Sequence, residues 1–160
     1  MKNSFSRAAI DEKDIEILRV LQKAGRISNS ELAERVALSA SPCWKRLRRL
    51  ESTGLIRGYK AVLNRHLLGL GTTVFVSILL ENHTEATCRE FERRVSAFPE
   101  VIACHNVSGQ YDYLLHVLTN DMESYSQFAL KRLRSIPGVK EMHSVFSLRE
   151  VKADGDLSFD

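Results

Sequence analysis

Lys45, Arg46, Arg48 and Arg49 put four cations into five residues, a density that repels itself unless something negative faces it. At about 100° per residue on a helix, Ser41, Lys45 and Arg48 share one face with Arg49 beside them. Cys43, Leu47 and Leu50 fall on the opposite, apolar face. The chemistry on offer is recognition of a polyanion, because Arg and Lys donors can fork onto base edges or pair with phosphate. An isolated amphipathic helix with a basic face is usually just solvated, so its surroundings must decide.

A second stretch, Gly109-Gln110-Tyr111-Asp112-Tyr113, offers different chemistry. Amides around Gly109 can donate to a carboxylate while Asp112 meets an ammonium, a pair that suits an α-amino acid. The plainer reading is a hairpin turn with Gly109 at positive φ and Asp112 bonded to turn amides. Metal and enzyme chemistry fare worse. The histidines His66, His83, His105, His116 and His143 include no pair at i, i+3 or i, i+4, and no cysteine lies at ligand spacing. Cys104 and His105 are adjacent in a strand pattern and so point to opposite faces, which excludes a nucleophile–base pair. No glycine loop is built to cradle phosphate. The expectation is no catalytic residue, no metal and no cofactor.

The basic helix starts where Ser39 can act as N-cap and Pro42 is tolerated in a first turn. Ser28-Asn29-Ser30-Glu31 before it is a capping box, opening a short helix that turns Leu32, Ala33 and Val36 inward and stops at Ala37-Leu38-Ser39. A capped helix, a turn of about three residues and a basic helix make a helix-turn-helix. Gly54 can cap the second helix, and Leu55–Leu63 is β-prone, as expected of a wing or linking strand. Upstream, Asp11 opens a helix with Ile15, Leu18 and Leu21 as its buried stripe, Asp14 favouring the dipole of its first turn.

Beyond Asn64–Gly71, with its two glycines, the periodicity changes. Thr72–Leu80 reads as a strand, 84–98 as a helix with Phe91 and Val95 inward, and 101–107 and 111–118 as strands joined by Ser108-Gly109-Gln110. Asp121 caps a helix that sets Tyr125, Phe128 or Ala129, and Leu133 toward the sheet, and 139–151 reads as the last strand. The order βαββαβ is ferredoxin-like. Phe98-Pro99-Glu100-Val101 through His105 and Val107 repeats as Ile136-Pro137-Gly138-Val139 through His143 and Val145, as two pseudo-equivalent halves require. The fold class is α+β: an N-terminal (winged) helix-turn-helix joined to a C-terminal ferredoxin-like domain. The expected divisions are a flexible arm at 1–10, the helix-turn-helix at 11–63, a linker at 64–71, the βαββαβ domain at 72–152 and an acidic tail at 153–160.

Charge follows the same division. Residues 1–65 hold 14 Lys/Arg against 7 Asp/Glu, whereas residues 66–160 hold 9 against 13. A basic front and an acidic rear point to one module facing a polyanion and one that does not. Three scattered cysteines suit reduced thiols in the cytoplasm, the start shows no apolar signal segment, and the longest apolar run, Val74–Leu80, is too short to cross a bilayer.

Along nearly its whole length the chain resembles the Lrp/AsnC (feast/famine) transcription regulators. The resemblance rests on Asp14-Ile15-x-Ile17-Leu18-x-x-Leu21-Gln22 and Ser30-Glu31-Leu32-Ala33. It continues through Leu38-Ser39-x-x-x-Cys43-x-x-Arg46-Leu47-x-x-Leu50-Glu51-x-x-Gly54-x-Ile56 and Gly109-x-Tyr111-Asp112-Tyr113. It implies a DNA-binding helix-turn-helix at about Ser30–Arg49. It also implies a βαββαβ domain that dimerises sheet against sheet, often builds octamers, and binds amino acids between dimers near Gly109–Asp112. Met122, Ser144 and Phe146 match other edges of that site, while Gln110 and Ser144 leave the ligand open. The expected function is sequence-specific binding of double-stranded, palindromic operator DNA, biased by an amino acid. Ser41, Lys45 and Arg48 are the expected base readers, Arg49 and Arg57 the phosphate contacts, and Ser39, Pro42 and Trp44 complete the DNA-facing set. Two rivals are an architectural, weakly specific DNA-bending protein and a metabolite-binding ferredoxin-like protein.

Overall fold

In a computed structural model the described residues are 10–153 and 155–159, so the expected arm lies, apart from Ile10, outside them. Contacts divide the chain into two units. The first runs to Val62 and takes up the residues from Lys152 onward; the second is Leu63–Val151.

The first unit is built from α1 (Glu12–Lys23), α2 (Asn29–Arg35) and α3 (Ala40–Ser52). Both α1 and α2 open on reciprocal capping boxes, Asp11 with Asp14 and Ser28 with Glu31, which satisfy amides that the first helical turn leaves without partners. The core is Ile17, Leu18, Leu32, Ala33, Val36, Cys43 and Leu50. The α1 stripe differs from expectation: Ile15 is only partly buried, and the buried positions are Asp14, Ile17 and Leu18. The helix is rotated so that the Asp14 carboxylate meets arginines of α3, with Ile17 buried in the core. Ala37 turns the chain between α2 and α3 at φ 51°, and Leu38 N–H closes the turn on Ala33 C=O at 2.9 Å. The strand expected over Leu55–Leu63 does not form. Its β-branched residues find no neighbouring ladder in this unit, and strand propensity without a partner has nothing to stabilise it. Instead Tyr59 folds back, donating its hydroxyl to Glu51 Oε1 at 3.1 Å.

The second unit is a four-stranded antiparallel sheet in the order β2-β3-β1-β4, from β1 (Thr72–Leu80), β2 (Val101–Asn106), β3 (Tyr113–Thr119) and β4 (Val139–Phe146). Two helices, α4 (Glu85–Ser96) and α5 (Met122–Phe128), complete the βαββαβ order. Alternation decides the faces. Val74, Val76, Ile78 and Leu80 of β1 join Tyr113, Leu115 and Val117 of β3 under Phe91, Val95, Tyr125, Phe128 and Leu133. The α5 helix widens into a π-turn at Ala129–Leu133, so Phe128 and Ala129 are both buried and the two alternatives are realised together. The last strand stops at Phe146 rather than Val151, because Phe146 pairs with Val74 near the start of β1 and only Ser147 N–H still finds Thr73 C=O. The linker expected at 64–71 is a turn in which Asn64 Oδ1 accepts from the amides of His66 and Leu67 at 3.1 and 3.2 Å.

Candidate DNA-binding and effector sites

Helix α3 presents its apolar residues inward and its cations outward, as the pattern demands. Cys43 and Leu50 are buried, and Leu47 is half-buried. Ser41, Pro42, Trp44, Lys45, Arg48 and Arg49 are exposed. Ser39 occupies the N-cap position but makes no side-chain cap bond. The usual donor for such a bond is the backbone N–H of the third residue of the helix, and that residue is Pro42, which has no N–H. The Ser39 hydroxyl is therefore left facing outward. The helix start is tied down from elsewhere, by Asn29 Nδ2 donating to Ala40 C=O at 3.1 Å.

The four cations are not equivalent. Arg46 Nη1 lies 2.5 Å from Asp11 Oδ2 and 3.0 Å from Asp14 Oδ1, and Arg49 Nη2 pairs closely with Asp14 Oδ2. Asp14 is fully buried, whereas the side chains of Arg46 and Arg49 are 30% and 50% exposed. The hydrogen bond from Arg46, followed by the Asp14 amide, holds the Asp11 carboxyl below its ordinary range. Two of the four cations are thus partly committed to docking α3 on α1, which sequence reasoning missed. The signal was present in the i, i+3 spacing of Asp11 and Asp14 and of Arg46 and Arg49.

The outer face carries Lys45 and Arg48. Arg48 stands over the Trp44 ring, 5.5 Å from its centroid, and reaches Glu51 Oε2 at 3.3 Å. Trp44 is half exposed, so it belongs to the surface of α3 rather than to the core edge. Arg57 lies beyond the Gly54 turn (φ 76°) on an exposed segment.

The loop at Gly109 is closed by Val107 N–H on Asp112 C=O at 2.9 Å, and Gly109 sits at φ 123°. Among the described residues no acceptor meets the amides of Gly109, Gln110 and Tyr111. Asp112 is not bonded to those turn amides. It reaches back to β1 instead: Leu80 N–H donates to its Oδ2 at 2.8 Å, its own N–H donates to Ile78 C=O at 2.8 Å, and His83 Nε2 lies 2.7 Å from Oδ1. Tyr111 stands beside a cleft of about 260 Å³ shared with Arg134, Lys140, Met142 and His143. Arg134 and Lys140 carried no signal in the sequence.

The expected effector residues fall into two groups. Gly109, Gln110, Tyr111 and Asp112 lie at the Ile78–Leu80 end of the sheet. Phe146 pairs opposite Val74, its ring 5.2 Å from that of Tyr125, and the hydroxyl of Tyr125 is bonded to Ser144. Met122 is exposed just beyond Thr119, which pairs with Thr72. Strands rise about 3.3 Å per residue, so Val74 and Leu80 are roughly 20 Å apart. One chain does not bring Met122 and Phe146 to the loop, while Ser144, opposite Val76, lies between.

Among the described residues no other constellation competes. Burial raises the Cys43 thiol, and burial with Glu92 nearby raises Cys104, so neither is an activated nucleophile. His105 and His116 are diagonal neighbours on the helix-free face, as the hairpin register implied. Among the described residues no group of three or more His, Cys, Asp or Glu could hold a metal ion. Among the described residues no helix is long and apolar enough to cross a membrane.

Known proteins share both units. The model of the Lrp/AsnC ligand binding domain family matches residues 73–157, and that of a winged helix-turn-helix DNA-binding family matches residues 10–57. The chain belongs to the Lrp/AsnC family. It is 42% identical over 148 residues to the leucine-responsive regulatory proteins of Escherichia coli K12 and Salmonella typhimurium, covering 92% of this chain and 90% of theirs. A transcriptional regulator from Neisseria meningitidis, solved as its L-Met complex, superposes with a TM-score of 0.91 at 40% identity, covering 94% of this chain and 97% of that one. An AsnC family regulator from Agrobacterium tumefaciens gives 0.88 at 35% identity, with coverage of 93% and 97%. For this Lrp/AsnC chain the helix-turn-helix is therefore the DNA-binding element, and the βαββαβ unit is its ligand-binding domain.

Proposed function

We propose that this Lrp/AsnC transcription regulator reads a paired DNA site through the outer face of α3, and that a small α-amino acid in the sheet unit biases that binding. The observation that carries the reading is the helix-turn-helix in which two cations are bound to α1 while Lys45 and Arg48 remain outward. Ser41, Lys45 and Arg48 read base edges, Ser39 and Arg57 hold phosphate, Pro42 and Trp44 line the contact, and Arg49 divides its charge between phosphate and Asp14. The regulator works by binding, with no catalytic residue.

Arg48→Ala is expected to weaken operator binding by roughly 1–3 kcal/mol while relaxing sequence preference. Arg57→Ala should weaken all sequences alike and flatten the salt dependence. Equal affinity of both variants and wild type for operator DNA would remove the groove assignment. Footprinting separates regulator from architectural protein: discrete half-sites support the first, uniform coverage the second.

The effector reading rests on the open amides at Gly109–Tyr111, which suit a carboxylate. Arg134 and Lys140 add positive charge beside that loop. A relative is leucine-responsive and another was solved with L-Met, which favours an apolar α-amino acid for this chain. Since Met122 and Phe146 lie about 20 Å from the loop, they can complete its site only from another copy, whereas Ser144, opposite Val76, lies nearer to it. The apolar sheet face opposite the helices, with Phe75 and Val145 exposed, suits a homodimer, and further dimers would assemble around the loops, as in an octamer. A thermal-shift titration with leucine and methionine tests this, since a ligand bound only by the folded state raises the melting temperature.

Asp112 has a structural duty on this reading. Asp112→Ala leaves the Leu80 amide without its acceptor and is expected to cost about 1–3 kcal/mol with or without amino acid. A variant that melts normally but no longer responds would instead make Asp112 the ammonium partner.

A further inference from the structure

The chain beyond Val151 reads as an appended acidic tail, yet by contact it belongs to the DNA-binding unit. Two observations fix its seat. Gln22, near the end of α1, uses both ends of its side-chain amide on one backbone position: Nε2 donates to Leu157 C=O at 3.2 Å, and Oε1 accepts from Leu157 N–H at 2.5 Å. Two residues further on, Phe159 packs against the core of the helix-turn-helix unit. Leu157 itself points outward, 73% exposed.

We propose that the C-terminal segment is a docking peptide for the DNA-binding unit, seated through its backbone at Leu157 on Gln22 and through the Phe159 ring on the helical core. A unit of three short helices is close to the lower limit of what a single core can stabilise. An aromatic ring drawn from the far end of the chain extends that core. Tethering makes the docking intramolecular, so modest contacts suffice to keep the seat occupied.

The full-length protein tests this directly. Trp44 is the single tryptophan and lies in α3, so its fluorescence reports the DNA-binding unit. A chain ending at Val151 and the Phe159→Asp variant are both expected to lower the Trp44 melting transition by about 5 °C or more. Hydrogen exchange should quicken in α1 and stay unchanged in β1. A synthetic peptide of residues 152–160 added to the shortened chain should restore α1 protection. Gln22→Ala, which spares the ring, should give a smaller loss in the same place. If the Trp44 transition and α1 exchange are unchanged in both the shortened chain and Phe159→Asp, or if β1 loosens as much as α1, the proposal fails.

Discussion

Replacing Asp14 with alanine should cost the DNA-binding unit about 3 kcal/mol, a large share of what so small a unit can have. Asp14 is fully buried and accepts from the Asp11 amide at 3.1 Å, Arg46 at 3.0 Å and Arg49 at closer range. Its removal deletes three hydrogen bonds and leaves two guanidiniums without their shared counter-charge. Both arginines are partly exposed and can recover water, which keeps the loss at the lower end for a broken buried ion pair. Denaturant unfolding followed by Trp44 fluorescence measures it. A midpoint shift equivalent to under about 0.5 kcal/mol would show the network to behave like ordinary surface pairs. Acid probes the same network through Asp11, whose carboxyl is held below its ordinary range by Arg46. A depressed folded pKa means that its contribution is complete above the ordinary carboxylate range and is lost as pH falls through the lower folded value. The stability gap between wild type and Asp11→Asn should therefore be constant near neutrality and close in strong acid.

The second large effect is expected in the other unit. Phe91→Ala should cost about 3–5 kcal/mol, since a fully buried ring between α4 and β3 leaves a cavity that its neighbours cannot fill. The Phe91 ring lies 4.6 Å from that of Tyr113, whose hydroxyl is anchored on Glu92 Oε1 at 2.9 Å, so Tyr113 cannot swing into the gap. Far-UV circular dichroism should show an early transition of the sheet unit while the Trp44 transition holds. Operator affinity should fall with it, because on the proposed reading the sheet unit pairs the two half-sites. Retention of full operator affinity after the sheet unit has melted would mean that the helix-turn-helix binds without that pairing.

Much of the molecule was legible from the chain. Patterns that act over a few residues were enough: the capping box at Ser28 and Glu31, the Asp121 cap, the alternation in β1 and the repeated Pro–Val starts of β2 and β4. They encode the two-unit α+β fold, because a capping bond or an alternating face needs only near neighbours. They also encode the outward basic face of α3, because helical geometry alone separates Lys45 and Arg48 from Leu50.

Contacts distant in sequence set the rest. Ser39 lost its capping role to Pro42 within the same turn, but Arg46 and Arg49 lost part of their freedom to acids more than thirty residues away. Asp112 was claimed by Leu80 and His83 across the sheet. Leu55–Leu63 had the composition of a strand and no ladder to join, whereas the last strand ended where β1 offered no further partner. Residue types and spacing determine which side chains can bind an anion, a base edge or an amino acid. Only the tertiary structure decides which of them are already occupied, because a charge or a hydrogen-bonding group is spent on whichever partner the fold brings within about 3 Å.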